Sequence, residues 1–160
     1  TIPYGAETAK CGKWEKGVGM PFWRIMDKAV TAEIIAEDLG GDTPEVERLI
    51  AETGFPNMKV LQFAFDSDLS NPFLPKNYGR NCVCYTGTHD NDTTRGWFEK
   101  LSERERLMFS RLVPADESGS AVLSLIAYAM RSKAETVIIP MQTSSSTATQ
   151  LPTAAPSCAS

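Results

Sequence analysis

Apolar residues recur along this chain in two rhythms. Four short runs read as strands, over 34–38, 58–65, 81–87 and 136–141, each a few apolar residues bounded by turn formers. They include Ile34-Ile35-Ala36, Met58-Lys59-Val60-Leu61-Gln62-Phe63-Ala64-Phe65, Cys82-Val83-Cys84-Tyr85 and Thr136-Val137-Ile138-Ile139-Pro140-Met141. Between them the spacing becomes helical. Met20 to Val30 carries Phe22, Ile25, Met26 and Val30 on one face. Thr43-Pro44-Glu45 is a strong helix start, because proline suits the first turn and an acid suits the positive end. That helix runs through Val46, Leu49 and Ile50 to a stop at Gly54. Thr93 to Lys100 and Ser102 to Leu112 are predicted helical with a break near Leu101-Ser102. Ser118 to Ser132 follows, its apolar face formed by Val122, Leu125, Ile126 and Ala129. Residues 5–19 and 66–80 read as loops, the first rich in glycine and the second holding two prolines.

Strands alternating with helices imply an α/β fold with a parallel sheet and right-handed crossovers. A complete (β/α)8 barrel typically needs about 250 residues. The 160 residues here, with four strands, therefore predict a partial barrel of about four βα units. Two regions are expected: residues 1–142 as barrel, and 143–160 as a low-complexity tail. Thr143 to Ser160 contains no charged residue and is built mostly from Ser, Thr, Ala and Pro. Such a composition cannot offset its ordering entropy, so a disordered tail of frameshifted or artificial origin is expected.

The bulk numbers only narrow the class. A hydrophobic content of 42% and a net charge of -4 suit an ordinary soluble protein. The acid excess and the lack of a basic patch argue against nucleic acid as a partner. No apolar run is long enough for a bilayer, and the start lacks the regions of a signal peptide, so no membrane partner and a cytoplasmic location are expected. Of Cys11, Cys82, Cys84 and Cys158, the middle two share a strand face, and reduced thiols are expected throughout.

The stretch Tyr85-Thr86-Gly87-Thr88-His89-Asp90-Asn91-Asp92-Thr93-Thr94 carries the chemistry. A strand that ends in such residues and turns into a helix places polar side chains at the carboxyl edge of the sheet, where α/β folds build active sites. Asp92 is expected to cap the following helix. That leaves His89 and Asp90 for another role. Ile34-Ile35-Ala36-Glu37-Asp38-Leu39-Gly40 is a second apolar run ending in carboxylates. If the strands are parallel neighbours, Glu37 and Asp90 stand at one end of one sheet. Two carboxylates at such an edge are the parts of glycoside chemistry.

Ile35-Ala36-Glu37-Asp38-Leu39-Gly40, Val60 to Phe65, Asn71-Pro72-Phe73-Leu74-Pro75 with Asn77-Tyr78, and Thr86 to Thr93 together closely resemble the amylomaltases. These are the 4-α-glucanotransferases of glycoside hydrolase family 77. The resemblance covers roughly residues 3 to 142 and implies strands five to eight, the C-terminal part of the catalytic barrel. It implies a retaining transfer of 4-α-glucan segments between maltooligosaccharides, with starch- or glycogen-derived glucans as partners and no cofactor. By motif, Glu37 resembles the general acid/base and Asp90 the carboxylate that grips sugar hydroxyls and stabilises the transition state. His89 resembles a histidine that touches the same sugar. Asn91, Asn77 and Trp14 are further expected sugar contacts, although the residues alone favour Trp14 as an anchor of its own loop over a platform for a sugar ring.

Two departures matter. The family's nucleophile is an Asp in an Arg-x-Asp-His strand, and residues 1–160 contain no such motif. Asp38 alternates to the face opposite Glu37 and is no convincing substitute. The chain by itself is therefore expected to be inactive. Lys76 stands where the family more often has His, which puts one acceptor-side contact in doubt. Two other classes compete: a non-catalytic glucan-binding remnant, and a metal hydrolase built on His89, Asp90 and Asp92. The second is weak, because hard-metal sites need several converging oxygens and His89 is the single histidine.

Overall fold

The computed structural model describes residues 1–40 and 43–141. The expected tail from Thr143 lies outside the described residues. Three parallel strands form the sheet in sequence order: β1 (Asn57–Val60), β2 (Cys82–Tyr85) and β3 (Thr136–Ile138). Ala36 joins the outer edge of β1 through a single parallel bridge to Asn57. All four predicted strand regions thus lie side by side in chain order.

Each strand is shorter than the apolar pattern predicts. The 34–38 region is reduced to its one bridge. The Asp38 carboxylate accepts from the Asn57 side chain at 2.8 Å and from the Met58 backbone N–H at 3.2 Å, which ties this segment to the start of β1. The 58–65 region leaves the ladder at Val60, whose partner Tyr85 is the last residue of β2. Beyond it, Leu61–Phe63 form a 3-10 turn, which lets Leu61, Ala64 and Phe65 all enter the core.

The five predicted helices are present: α1 (Gly19–Ala29), α2 (Pro44–Thr53), α3 (Thr94–Lys100), α4 (Glu103–Leu112) and α5 (Ala121–Met130). Helix α2 begins at Pro44 and ends at Gly54, whose φ of 70° only glycine adopts cheaply. The predicted break between α3 and α4 is a capping box. Ser102 accepts from the Glu105 backbone N–H, while the Glu105 carboxylate accepts from that of Ser102. The loop at 5–19 contains one short 3-10 turn, Ala9–Cys11.

Strand alternation divides the sheet into two faces. Cys82, Cys84 and Val137 face the helices, and their core includes Leu61, Phe65, Leu74, Tyr78, Phe109 and Leu125. At its centre Phe109 packs against Phe65 at 5.2 Å and Phe98 at 5.0 Å between ring centroids. Met58, Val60, Val83 and Tyr85 share the opposite face. Val83 and both cysteines are buried, as a central strand covered on two sides requires. Cys11 is exposed, and all three described cysteines are free thiols.

Candidate active site

The site is built on the turn that carries β2 into α3. Past Tyr85, Thr86 is fully buried, and the chain then folds over itself. The Asn91 side-chain oxygen accepts from the backbone N–H and the hydroxyl of Thr88, both at 2.8 Å. In return the Asn91 backbone N–H donates to the Thr88 carbonyl at 3.2 Å. At the tip of this braced turn His89 Nε2 lies 3.2 Å from Asp90 Oδ1. The two side chains are 87% and 77% exposed, open to a ligand from solvent.

Asp92 does not cap α3 as expected. Thr93 does, its hydroxyl accepting from the Gly96 N–H at 3.1 Å. The Asp92 carboxylate lies one step earlier. Oδ1 accepts from the Thr93 N–H at 2.7 Å, and Oδ2 lies 2.5 Å from the Lys100 ammonium. The Lys100 hydrogen bond, followed by that of Thr93, holds this carboxyl below the usual carboxylate range. Its charge is already committed, which argues against its joining His89 and Asp90 around a metal. Among the described residues no group of three or more His, Cys, Asp or Glu is placed to hold an ion.

The underside of the turn rests on Gln62, which motif reading did not single out. Gln62 is 7% exposed, and its side-chain N–H donates to the Asp92 carbonyl at 3.0 Å. It passes so close beneath Gly87 that a Cβ there would stand 2.6 Å from Nε2. A polar residue inside the apolar run Val60-Leu61-Gln62-Phe63 was the available signal.

Glu37 is placed differently from Asp90. Ala36 is level with Asn57 and Cys82, the first residues of β1 and β2, so Glu37 leaves the sheet low along those strands. Asp90 comes after the last residue of β2. By this register Glu37 stands level with Met58 and Val83, whereas Asp90 lies five residues past Tyr85. By alternation Glu37 belongs to the face of Met58 and Val83, while Asp38 lies with Asn57 on the other. Glu37 is exposed. Among the described residues no hydrogen bond or ion pair joins Glu37 to Asp90.

The remaining expected contacts diverge. Trp14 is fully exposed. Asn77 spends its side-chain N–H groups on the carbonyls of Leu69 and Asn71, each at 2.8 Å, which ties down the loop at 66–80. Asn71, 5% exposed, is the hub of that loop and donates to the Phe63 carbonyl at 2.8 Å. Three cavities, of about 750, 370 and 430 Å³, open elsewhere. The largest lies among α3, α4 and the start of α5, and Glu37, His89 and Asp90 line none of them.

An α/β chain with a parallel sheet and polar side chains past a strand end is a frame shared by many enzymes of unrelated chemistry, and comparison narrows it. The sequence profile of the 4-alpha-glucanotransferases, glycoside hydrolase family 77, matches residues 1–159. The 4-alpha-glucanotransferase of Synechocystis sp. is 47% identical over 144 residues, covering 88% of this chain and 28% of the relative. That of Clostridium butyricum is 54% identical over 106 residues, 66% of this chain and 22% of the relative. Among solved structures, the amylomaltase from Streptococcus agalactiae in complex with acarbose superposes with a TM-score of 0.82 at 30% identity. That likeness covers 89% of this chain and 29% of the other. The chain belongs to the 4-alpha-glucanotransferase family. It spans about a quarter of the length of the curated relatives it matches. These shares give no support to a position in the C-terminal part of the barrel in particular. Among the described residues no helix is long and apolar enough to cross a membrane.

Proposed function

We propose that these residues supply the sugar-gripping side of a retaining 4-α-glucan transfer site. The observation that carries the reading is the exposed His89–Asp90 pair, held on a braced turn past the carboxyl end of β2. An ionised Asp90 beside an imidazole can accept from sugar hydroxyls, and it favours the positive charge that develops on an oxocarbenium-like ring. Glu37 is the acid/base of this reading, and it projects toward the face opposite the helices. The nucleophile is a carboxylate outside residues 1–160. Retaining chemistry needs the two reacting carboxyl groups about 5–5.5 Å apart, so the nucleophile of this reading must stand at that distance from Glu37. Parallel strands in unbroken chain order support a (β/α)8 barrel over a doubly wound sheet, whose strand order reverses at a switch point.

Maltotriose incubated with the purified chain tests this first. No disproportionation products should appear by chromatography, and turnover at ordinary enzyme rates would mean that another carboxylate acts as nucleophile. Joined to the complementary part of a related enzyme, the chain should then contribute to retaining transfer. In that chimera Glu37→Gln should lower transfer about 10²–10⁴-fold. The loss should be far smaller with glycosyl fluorides, whose leaving group departs without protonation. An equal loss on both donors would end the acid/base assignment.

A non-catalytic glucan-binding role is the second reading. The exposed pair, which among the described residues has no hydrogen bond or ion pair to Glu37, favours it for the chain by itself. Glucan binding with no gain of transfer in the chimera would decide for it.

A further inference from the structure

The turn that presents His89 and Asp90 has two faces, and only the outer one is exposed. On the inner face Gln62, from the 3-10 turn after β1, meets Gly87, from the exit of β2, while the exposed Lys100 at the end of α3 holds the Asp92 side chain from the solvent side. Gln62 donates to the Asp92 carbonyl, and the Asp92 carboxylate is held by Lys100 and the Thr93 N–H. Gly87 lies over the Gln62 amide at a distance no side chain would allow. His89 and Asp90 therefore sit between two fixed points, Gly87 and Asp92, five residues apart along the chain.

We propose that Gln62 is a positioning residue: it sets the location and orientation of the His89–Asp90 pair by holding both ends of the turn from the neighbouring strand. This rests on the reading of that pair as the sugar-gripping group. Gln62 touches neither His89 nor Asp90, and it acts through the Asp92 carbonyl and the Gly87 backbone. The amide suits the task. Its N–H satisfies a carbonyl at the sheet edge, and its nine-tenths burial restricts its rotamers. A buried donor and a glycine whose added Cβ would press on that donor form a coupled unit, so the two should depend on each other energetically.

His89 is the single histidine, so its imidazole signals in a ¹H–¹³C spectrum of the full 160-residue chain report the pair directly. At one fixed pH, Gln62→Met, which keeps volume and removes the donor, should move those signals. Exchange of the hydrogen-bonded Thr88 and Asn91 amides should quicken roughly two- to tenfold, the loss expected for one net hydrogen bond. Gly87→Ala should move the same signals by pressing on the Gln62 amide. Gly87→Ala in a Gln62→Ala background should move them far less, because the obstructing amide is gone. Tyr78→Phe, which loses a buried hydrogen bond to Cys84, serves as a destabilised control and should leave them in place.

If Gln62→Met and Gln62→Ala fail to fold, Lys100→Gln on the exposed side of the same clamp supplies the test. It should shift the His89 signals without loss of structure. Unmoved His89 signals in folded Gln62→Met, or in Lys100→Gln where the Gln62 variants do not fold, would overturn the proposal. So would equal effects of Gly87→Ala in both backgrounds. Maltotriose titrated into the unmodified chain separates this from the functional reading. A His89 signal that ignores the glucan counts against sugar gripping, while the dependence of that signal on Gln62 stands or falls by itself.

Discussion

Gly96→Ala sets two effects of opposite sign against each other at the foot of α3. Alanine in place of glycine within a helix should stabilise by about 1 kcal/mol. Here, however, the new Cβ would stand 2.7 and 2.8 Å from the two Asp92 carboxylate oxygens. The carboxylate is the movable partner, since its side chain is 33% exposed. It would swing outward and lose the Thr93 N–H, a hydrogen bond to a charged group worth about 1.5 kcal/mol at the low end of its range. Its pair with Lys100, 77% exposed on the lysine side, adds about 0–1 kcal/mol. The losses exceed the gain, so Gly96→Ala should destabilise by about 0.5–1.5 kcal/mol. With Asp92→Ala already in place nothing obstructs the methyl group, and Gly96→Ala should then stabilise by about 1 kcal/mol. The assay is urea unfolding of the four chains of this cycle, followed by far-ultraviolet circular dichroism. A change of sign between backgrounds is the expected result. Equal stabilisation in both would show that the Asp92 carboxylate does not lie over this turn, and the account of how the site is braced would fail with it.

Two further predictions follow from titratable groups. The Asp92 and Glu105 carboxyls are both held below their ordinary values, Asp92 chiefly by Lys100 and Glu105 by Ser102. A depressed folded value means the stabilisation is complete above the ordinary carboxylate value, about 4, and is lost as pH falls through the folded value. Urea midpoints should therefore hold between pH 7 and 5 and decline below about 4. Asp92→Asn should lower the midpoint at pH 7 but scarcely at pH 2, and equal losses at both would contradict the charge-based account. Burial pushes the Cys82 thiol up to about 11 and raises that of Cys84, whereas Cys11 is exposed. With Cys158 replaced by serine, the native chain should show one fast thiol toward an aromatic disulfide reagent, and three after unfolding. Three fast thiols in the native chain would mean that β2 is not a buried central strand.

Local chemistry determined much of this protein. Pro44 and Gly54 bound α2, and Ser102 with Glu105 separates α3 from α4, because caps and helix breakers act within one turn of chain. The alternation of apolar runs determined parallel strands laid down in order, and the motif at 86–93 pointed to His89 and Asp90. Tertiary structure decided where each strand stops. The 34–38 region keeps one bridge, to Asn57, and the Asp38 side chain bonds across to Asn57 and Met58. It also decided that Thr93 and not Asp92 caps α3, since the Asp92 carboxylate is drawn to Lys100 two turns away in the same helix. Gln62 under Gly87 was the least legible feature, because it joins residues 25 positions apart whose meeting depends on the register of β1 against β2. The separation of Glu37 from Asp90 has the same origin. A motif names the carboxylates, but only the pairing of strands determines how far along the sheet each one leaves it.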